Sequence, residues 1–272
     1  MFRDGHVHSR FCPHGTKDSF ESYIEKALSI GIEEISFTEH APLPEGFIDP
    51  VPQSDSAMDK DHLEAYLAEI DALKRKYAGK ITIHAGLEVD FIEGYESETA
   101  QFLNMAGPYL DDAVLSVHFL KDASGHDCVD YSPEHFGKMK ERYGSVEAIY
   151  ENYYRTLLKS IYSDLGKYKP KRIGHITLIH KFQLKYPVER AFTNELDTVL
   201  KAVKEKGYEL DYNGAGTAKP LCRQTYPPRD IAEKAAALGI PLIYGSDAHQ
   251  AKELGQGFDR TILYETGSDM KN

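Results

Sequence analysis

This chain predicts an α/β fold built on a parallel sheet, and three observations carry that expectation. Short apolar runs alternate about seven times with amphipathic or charged stretches of helical length. Helical stretches such as "SYIEKALSIGI" and "ELDTVLKAVKEKG" end in glycine, as helix C-termini often do. The irregular segments follow predicted strands and do not divide the chain. Repeated strand-then-helix units place the strands parallel, in a sheet closed or wound with helices outside.

The predicted strands are, in order, 4–9, 34–40, 81–91, 113–119, 172–178, 208–213 and 241–247. Residues 20–29, 57–77, 146–165, 194–206 and 231–238 have helical length and patterning. Residues 41–55 and 120–132 read as irregular, each after a strand, at the end where barrel active sites gather. No Gly/Ser-rich linker or internal repeat interrupts the chain of 272 residues, so one domain spanning all of it is expected.

Composition narrows the function. No run of eighteen apolar residues and no charged-then-apolar leader is present, so a cytoplasmic protein is expected. Cys12, Cys128 and Cys222 are widely and irregularly spaced, which favours reduced packing residues over a disulfide framework or a Cys-x-x-Cys zinc site. A formal net charge of −11 argues against charge-driven binding to nucleic acid or an anionic membrane. A cluster of bound cations would still make a local site positive enough for an anionic substrate.

The residues that carry chemistry begin with "DGHVHS". Side chains alternate along a strand, so His6 and His8 share a face. Other strand ends add to this pair. "SFTEH" supplies Glu39 and His40; "GLEVDF" supplies Glu88 and Asp90; "SVHF" supplies His118; "GHITL" supplies His175. The last strand ends in "GSDAH", where Asp247 and His249 have the same i, i+2 spacing and are expected on one face, and His14 in "CPHG" can fold back over the mouth. A lone histidine pair on a strand is more often packing. Six segments delivering imidazoles or carboxylates to one rim point to a metal site, and this donor mixture suits zinc, iron or manganese.

These residues in this order resemble the PHP (polymerase and histidinol phosphatase) superfamily over nearly the whole chain. "FCPHG", "EHAPLP", "GLEVDFIEGYE", "KPLCRQTYPP" and "YGSDAH" resemble its histidinol-phosphatase branch. The resemblance implies a distorted (β/α)7 TIM-like barrel and three divalent metal ions. His6, His8, Glu88 and Asp247 would hold the first ion. Glu88 would bridge to a second, completed by His118 and His175. His14, His40 and His249 would hold the third. It also implies hydrolysis of a small phosphate monoester, L-histidinol phosphate, to L-histidinol and phosphate in histidine biosynthesis. Glu88, Asp247 and His249 would be catalytic around an attacking hydroxide that bridges the metals. Many relatives have Asp where this chain has Glu39 and Thr177, which bears on hydrogen bonding behind the ligands.

A phosphate also favours fixed cations. Lys181 in "HKFQ", Lys219 in "TAKP" and Arg223 in the same loop are the candidates, against the plainer reading of solvated surface charges. Arg172 starts a strand and is read as structural. Glu39, Asp90, Glu93 and Asn213 are available to the amino and imidazole end of the substrate. His84 reads as a packed interior residue, His62, His126 and His135 as surface, and His180 as a weaker candidate for substrate contact. "IYENYYRTLL" reads as helix packing. Competing functions are another PHP phosphoesterase acting on nucleotides, a metal-dependent amidohydrolase, and a non-catalytic PHP interaction module. Neither a basic strip nor a nucleic-acid module is evident, and retention of all nine ligand positions favours catalysis.

Overall fold

The first apolar run forms β1 (Arg3–Val7), and each later run adds a parallel strand beside the one before. The computed structural model describes residues 2–268. α1 (Phe20–Ser29) starts at Ser19, whose side chain accepts a hydrogen bond from Ser22 N, and it buries Phe20, Tyr23, Ile24 and Ala27. β2 (Glu34–His40), α2 (Leu63–Lys76) and β3 (Thr82–Asp90) follow. Next come α3 (Glu96–Ala106), β4 (Asp112–Ser116), and a small hairpin of β5 (Phe119–Asp122) and β6 (Gly125–Cys128). α4 (Pro133–Tyr143) and α5 (Val146–Tyr162) precede β7 (Arg172–Ile173). α6 (Thr193–Lys206), β8 (Glu209–Asn213), α7 (Arg229–Ala237), β9 (Leu242–Gly245) and α8 (Ile262–Ser268) complete the order.

The seven strands β1-β2-β3-β4-β7-β8-β9 pair in sequence order, all parallel. The ring nearly closes where His8 N donates to Ala248 O at 3.0 Å and Asp247 N donates to His6 O at 2.7 Å. This is the distorted (β/α)7 barrel expected, and every strand runs toward the same mouth. Across it, Cα register sets His40 beside Glu88.

Three local expectations are corrected. The run 172–178 keeps only two strand residues, and Leu178–Phe182 turns as a 3-10 helix, so His175 lies beyond its strand. The segment 120–132 is not wholly irregular, because it contains the rest of the β5–β6 hairpin. α3 and α4 are additional helices; α4 has Ser132 capping His135 N, Pro133 in its first turn and left-handed Gly144 at its end.

Arg172 is buried at the strand starts, where its Nη2 donates to Gly5 O and to Asp112, each at 2.7 Å. It braces the end opposite the mouth, as expected. His84 is also at that end, half-buried with Nε2 2.6 Å from Glu34 Oε1, and does not pack inside the barrel. Tyr150, Tyr153 and Tyr154 are buried along α5, so that stretch is helix packing. All three cysteines are free and buried. Among the described residues, no helix is long and apolar enough to cross a membrane.

Candidate metal centre

Glu88, buried on β3, stands at the centre of the mouth with its two oxygens facing different histidines. Oε1 is 2.9 Å from His175 Nε2 and 3.8 Å from His118 Nε2. Oε2 is 3.1 Å from His40 Nδ1, 3.3 Å from His6 Nε2 and 3.5 Å from His8 Nε2. Asp247 closes the second side, with Oδ1 3.1 Å from His8 Nε2. One carboxylate oriented between two imidazole sets can bridge two cations and offset their repulsion.

Small residues and one strained one make this approach possible. A Cβ at Gly245 would collide with the Cβ of His6 and with Asp211, and one at Gly174 would collide with Ser116. Ser116 Oγ donates to Glu88 Oε1, so Gly174 protects the bond that orients the central carboxylate. Asp247 has φ 53, a left-handed conformation uncommon outside glycine. β9 has ended at Gly245, so Asp247 and His249 converge through this turn and not through strand pleat.

The rings are held from behind. His6 Nδ1 is 2.9 Å from Asp211 Oδ2, His8 Nδ1 3.2 Å from Glu39 Oε1, and His118 Nδ1 2.7 Å from Asp90 Oδ1. His14 Nδ1 donates to Asp55 O at 2.8 Å, and His249 Nδ1 to Asp247 O at 3.1 Å. Each such bond leaves Nε2 as the outward donor atom. The Nε2 atoms of His6 and His8 and Nδ1 of His40 are buried without any hydrogen-bond partner. Buried polar atoms are rarely orphaned, and these are aimed where cations would satisfy them.

Three groups of residues could each hold a metal ion, their donor atoms lying within 4.8 Å of one another: His6, His8 and Asp247; Glu88, His118 and His175; and His8, Cys12, His40 and His249. Cys12, read as a packing residue, thus also lies against the third group. His14 has its ring centroid 5.1 Å from those of both His40 and His249.

The electrostatics are those of a site built for positive charge. Burial opposes charge on every group here, yet neighbouring opposite charges outweigh it for several. Asp247 and Glu39 push His8 up to about 9, and Asp90 and Glu88 push His118 up to about 10, against their burial. Glu88 and Asp247 are held well below the usual carboxylate range by the surrounding imidazoles despite burial. His249 is driven well down by burial and then by His8.

A family model described as the PHP domain matches residues 4–215. The chain belongs to the PHP domain family. Within it, the histidinol-phosphatase of Bacillus subtilis (strain 168) is 46% identical over 259 residues, covering 94% of this chain and 97% of that relative. A crystal structure of a Listeria monocytogenes protein superposes with a TM-score of 0.90 at 39% identity, over 95% of this chain and 99% of that one. The fold is also shared with the Lactococcus lactis histidinol phosphate phosphatase crystallised with zinc, L-histidinol and phosphate. That match has a TM-score of 0.67 and 24% identity, and covers 92% and 87% of the two chains.

In this PHP domain the cluster opens into a cavity of about 430 Å³, a size suited to a small molecule. Lys181 and Lys219 both line it. Lys181 Nζ is held 2.8 Å from Asp130 Oδ2, a partner not singled out in the sequence, whereas Lys219 is exposed. Arg223 is exposed on the same loop and does not line the cavity. Glu39 is fully buried behind His8, its Oε2 taking hydrogen bonds from Ser9 N at 2.9 Å and Ser9 Oγ at 2.6 Å, so its carboxylate faces away from the cavity. Asp90 is spent on His118, and Asn213 Nδ2 donates to Asp211 and to Asp247. Glu93 pairs with Lys159 at the surface. His180 is half-buried and does not line the cavity, 3.2 Å from the Tyr154 hydroxyl and stacked on Tyr150. His126 and His135, expected at the surface, are half-buried against Glu93 O and Asp127 respectively, while His62 is exposed. The residue that spacing could have found is Asp211, two before Asn213 on β8 and so on the same strand face.

Proposed function

We propose that this PHP domain is a metal-dependent phosphomonoesterase that hydrolyses L-histidinol phosphate to L-histidinol and phosphate, a cytoplasmic enzyme of histidine biosynthesis acting as one catalytic unit. The observation that carries the reading is the split carboxylate of Glu88 between two imidazole sets beneath a small-molecule cavity. The 46% identity to a histidinol-phosphatase supports the choice of ester.

Three divalent cations suit the donors: one with His6, His8, Glu88 and Asp247; one with Glu88, His118 and His175; one with His14, His40 and His249. Zinc, iron and manganese all accept this mixture of imidazole and carboxylate. Bound cations supply Lewis acidity, lowering the pKa of water and neutralising phosphate charge.

The chain's own residues do the rest. Asp211, Glu39 and Asp90 hold His6, His8 and His118 in the tautomer that presents Nε2 inward. Ser116 fixes the rotation of Glu88, and Asn213 donates to Asp247 Oδ2 at 3.2 Å to fix that carboxylate. Lys181, steadied by Asp130, and Lys219 give the phosphate oxygens cationic partners on the cavity wall. Water attacks phosphorus in line, the ester P–O bond breaks, and the leaving alkoxide takes up a proton as L-histidinol departs.

Phosphate release from L-histidinol phosphate, beside AMP and p-nitrophenyl phosphate, tests the reading with manganese-loaded protein and a His8→Ala control. Preference for L-histidinol phosphate, lost in the control and after chelation, is expected. Release from AMP but not from L-histidinol phosphate would overturn the substrate, and no release from any ester would overturn the enzyme.

A further inference from the structure

The cavity holds six carboxylates, and five are already engaged. Glu88 and Asp247 face the histidines, Asp90 takes His118, and Asp130 takes Lys181. Glu253 accepts from His249 N at 3.0 Å and from Gln250 Nε2 at 2.8 Å. Asp55 is the sixth. Among the described residues its carboxylate takes part in no hydrogen bond or ion pair, although the residue is half-buried on the cavity wall.

Its backbone is firmly placed. Asp55 O accepts the Nδ1–H of His14 at 2.8 Å, which ties it to the histidine cluster. On either side, Asp49 accepts from Val51 N at 2.9 Å and from Ser56 N and Ser56 Oγ, both at 3.0 Å. Ser54 turns the chain into position with φ 50. A carboxylate on a braced loop with no partner of its own is preorganised for a cation that arrives with a ligand.

We propose that Asp55 is the specificity-determining residue that receives the primary ammonium of the substrate. The inference rests on the phosphomonoesterase reading above. In L-histidinol phosphate the ammonium is on the carbon next to the one bearing the ester oxygen. With the phosphate on the cluster, it must therefore lie beside the rim of the histidine cluster, where Asp55 is tied. Phosphate and ammonium then meet opposite charges of the cavity wall, Lys181 and Lys219 for one and Asp55 for the other.

The test compares kcat/KM for L-histidinol phosphate with that for imidazolylpropyl phosphate, the same ester without the amine, in wild type, Asp55→Asn and Asp55→Glu. Both esters are assayed on each preparation, so a loss of folded protein cancels from the ratio. Asp55→Asn should lower the preference for the amine-bearing ester roughly ten- to a hundredfold, mainly through KM, as expected for one charge-assisted hydrogen bond. Asp55→Glu should recover most of it. A ratio in Asp55→Asn within twofold of wild type would overturn the assignment while leaving the phosphatase reading intact. If wild type releases phosphate from neither ester, the reading and the inference fall together.

Discussion

Glu88 Oε1 stands 2.9 Å from His175 Nε2, while the other oxygen of the same carboxylate faces His6, His8 and His40. That division makes one side chain answer to two groups of histidines. Glu88→Gln keeps the shape but replaces one oxygen by an amide nitrogen, which cannot coordinate. The variant should lose bound metal and lower kcat by at least on the order of a hundred- to a thousandfold, as for loss of one preorganised charge-stabilising group. Metal analysis and steady-state kinetics on the same sample check it.

Asp211 shapes the site without reaching it, since its Oδ2 meets His6 Nδ1 at 2.9 Å and its carboxylate is buried. Asp211→Asn should weaken metal affinity by about ten- to a hundredfold, as is usual for the partner behind a ligating histidine. Excess metal should restore much of the activity. A metal titration followed by activity distinguishes this from collapse of the fold, which added metal would not repair.

Metal binding should release protons. His8 and His118, at about 9 and about 10, carry protons at neutral pH in the metal-free protein. A ligating imidazole must be neutral, so each ion displaces the protons its ligands hold. Affinity should therefore rise with pH from 6 toward 9, and calorimetric heats of binding should depend on the ionisation enthalpy of the buffer. Heats that are the same in phosphate-free buffers of high and low ionisation enthalpy would show no release.

His180 makes the fold sensitive to acid. Burial lowers its pKa to about 4 from the ordinary 6.5. Between those values the unfolded chain binds a proton that the folded chain refuses, so stability falls as pH falls. This residue's contribution is intact above 6.5 and is lost down to 4, at up to about 1.4 kcal/mol per pH unit. His180→Gln should flatten the acid limb of a denaturant-midpoint profile between pH 6.5 and 4.5, whatever it does to stability at pH 7.

Much of this was legible because barrels obey local rules. The period of strand and helix announced seven parallel strands, and strand-end positions pointed to the imidazoles and carboxylates gathered at the mouth, while the choice of nine of them as metal ligands came from the family resemblance. The α4 signal, Ser132-Pro133 ahead and Gly144 behind, was present in the sequence, in a stretch left unassigned between the irregular segment 120–132 and the helix expected at 146–165. Two residues of β7 read as a longer strand because Ile176, in a turn, and Leu178, at the start of the 3-10 helix, are buried in the core, and burial imposes the same apolar composition on either conformation. The partners of Lys181 and Glu39 depend on contacts between distant segments. Asp130 and Ser9 carry no spacing that announces them. The rotation of Glu88 that divides its oxygens is a tertiary fact, set by Ser116 from the neighbouring strand.

We propose that Glu88 holds two cations of a three-ion cluster. Anomalous-difference maps from crystals of the active, manganese-loaded protein test it most directly. One peak is expected on each side of the Glu88 carboxylate, near His6, His8 and Asp247 and near His118 and His175, with a third among His14, His40 and His249. A single peak, or peaks that leave Glu88 uncoordinated in protein that still releases phosphate, would contradict it.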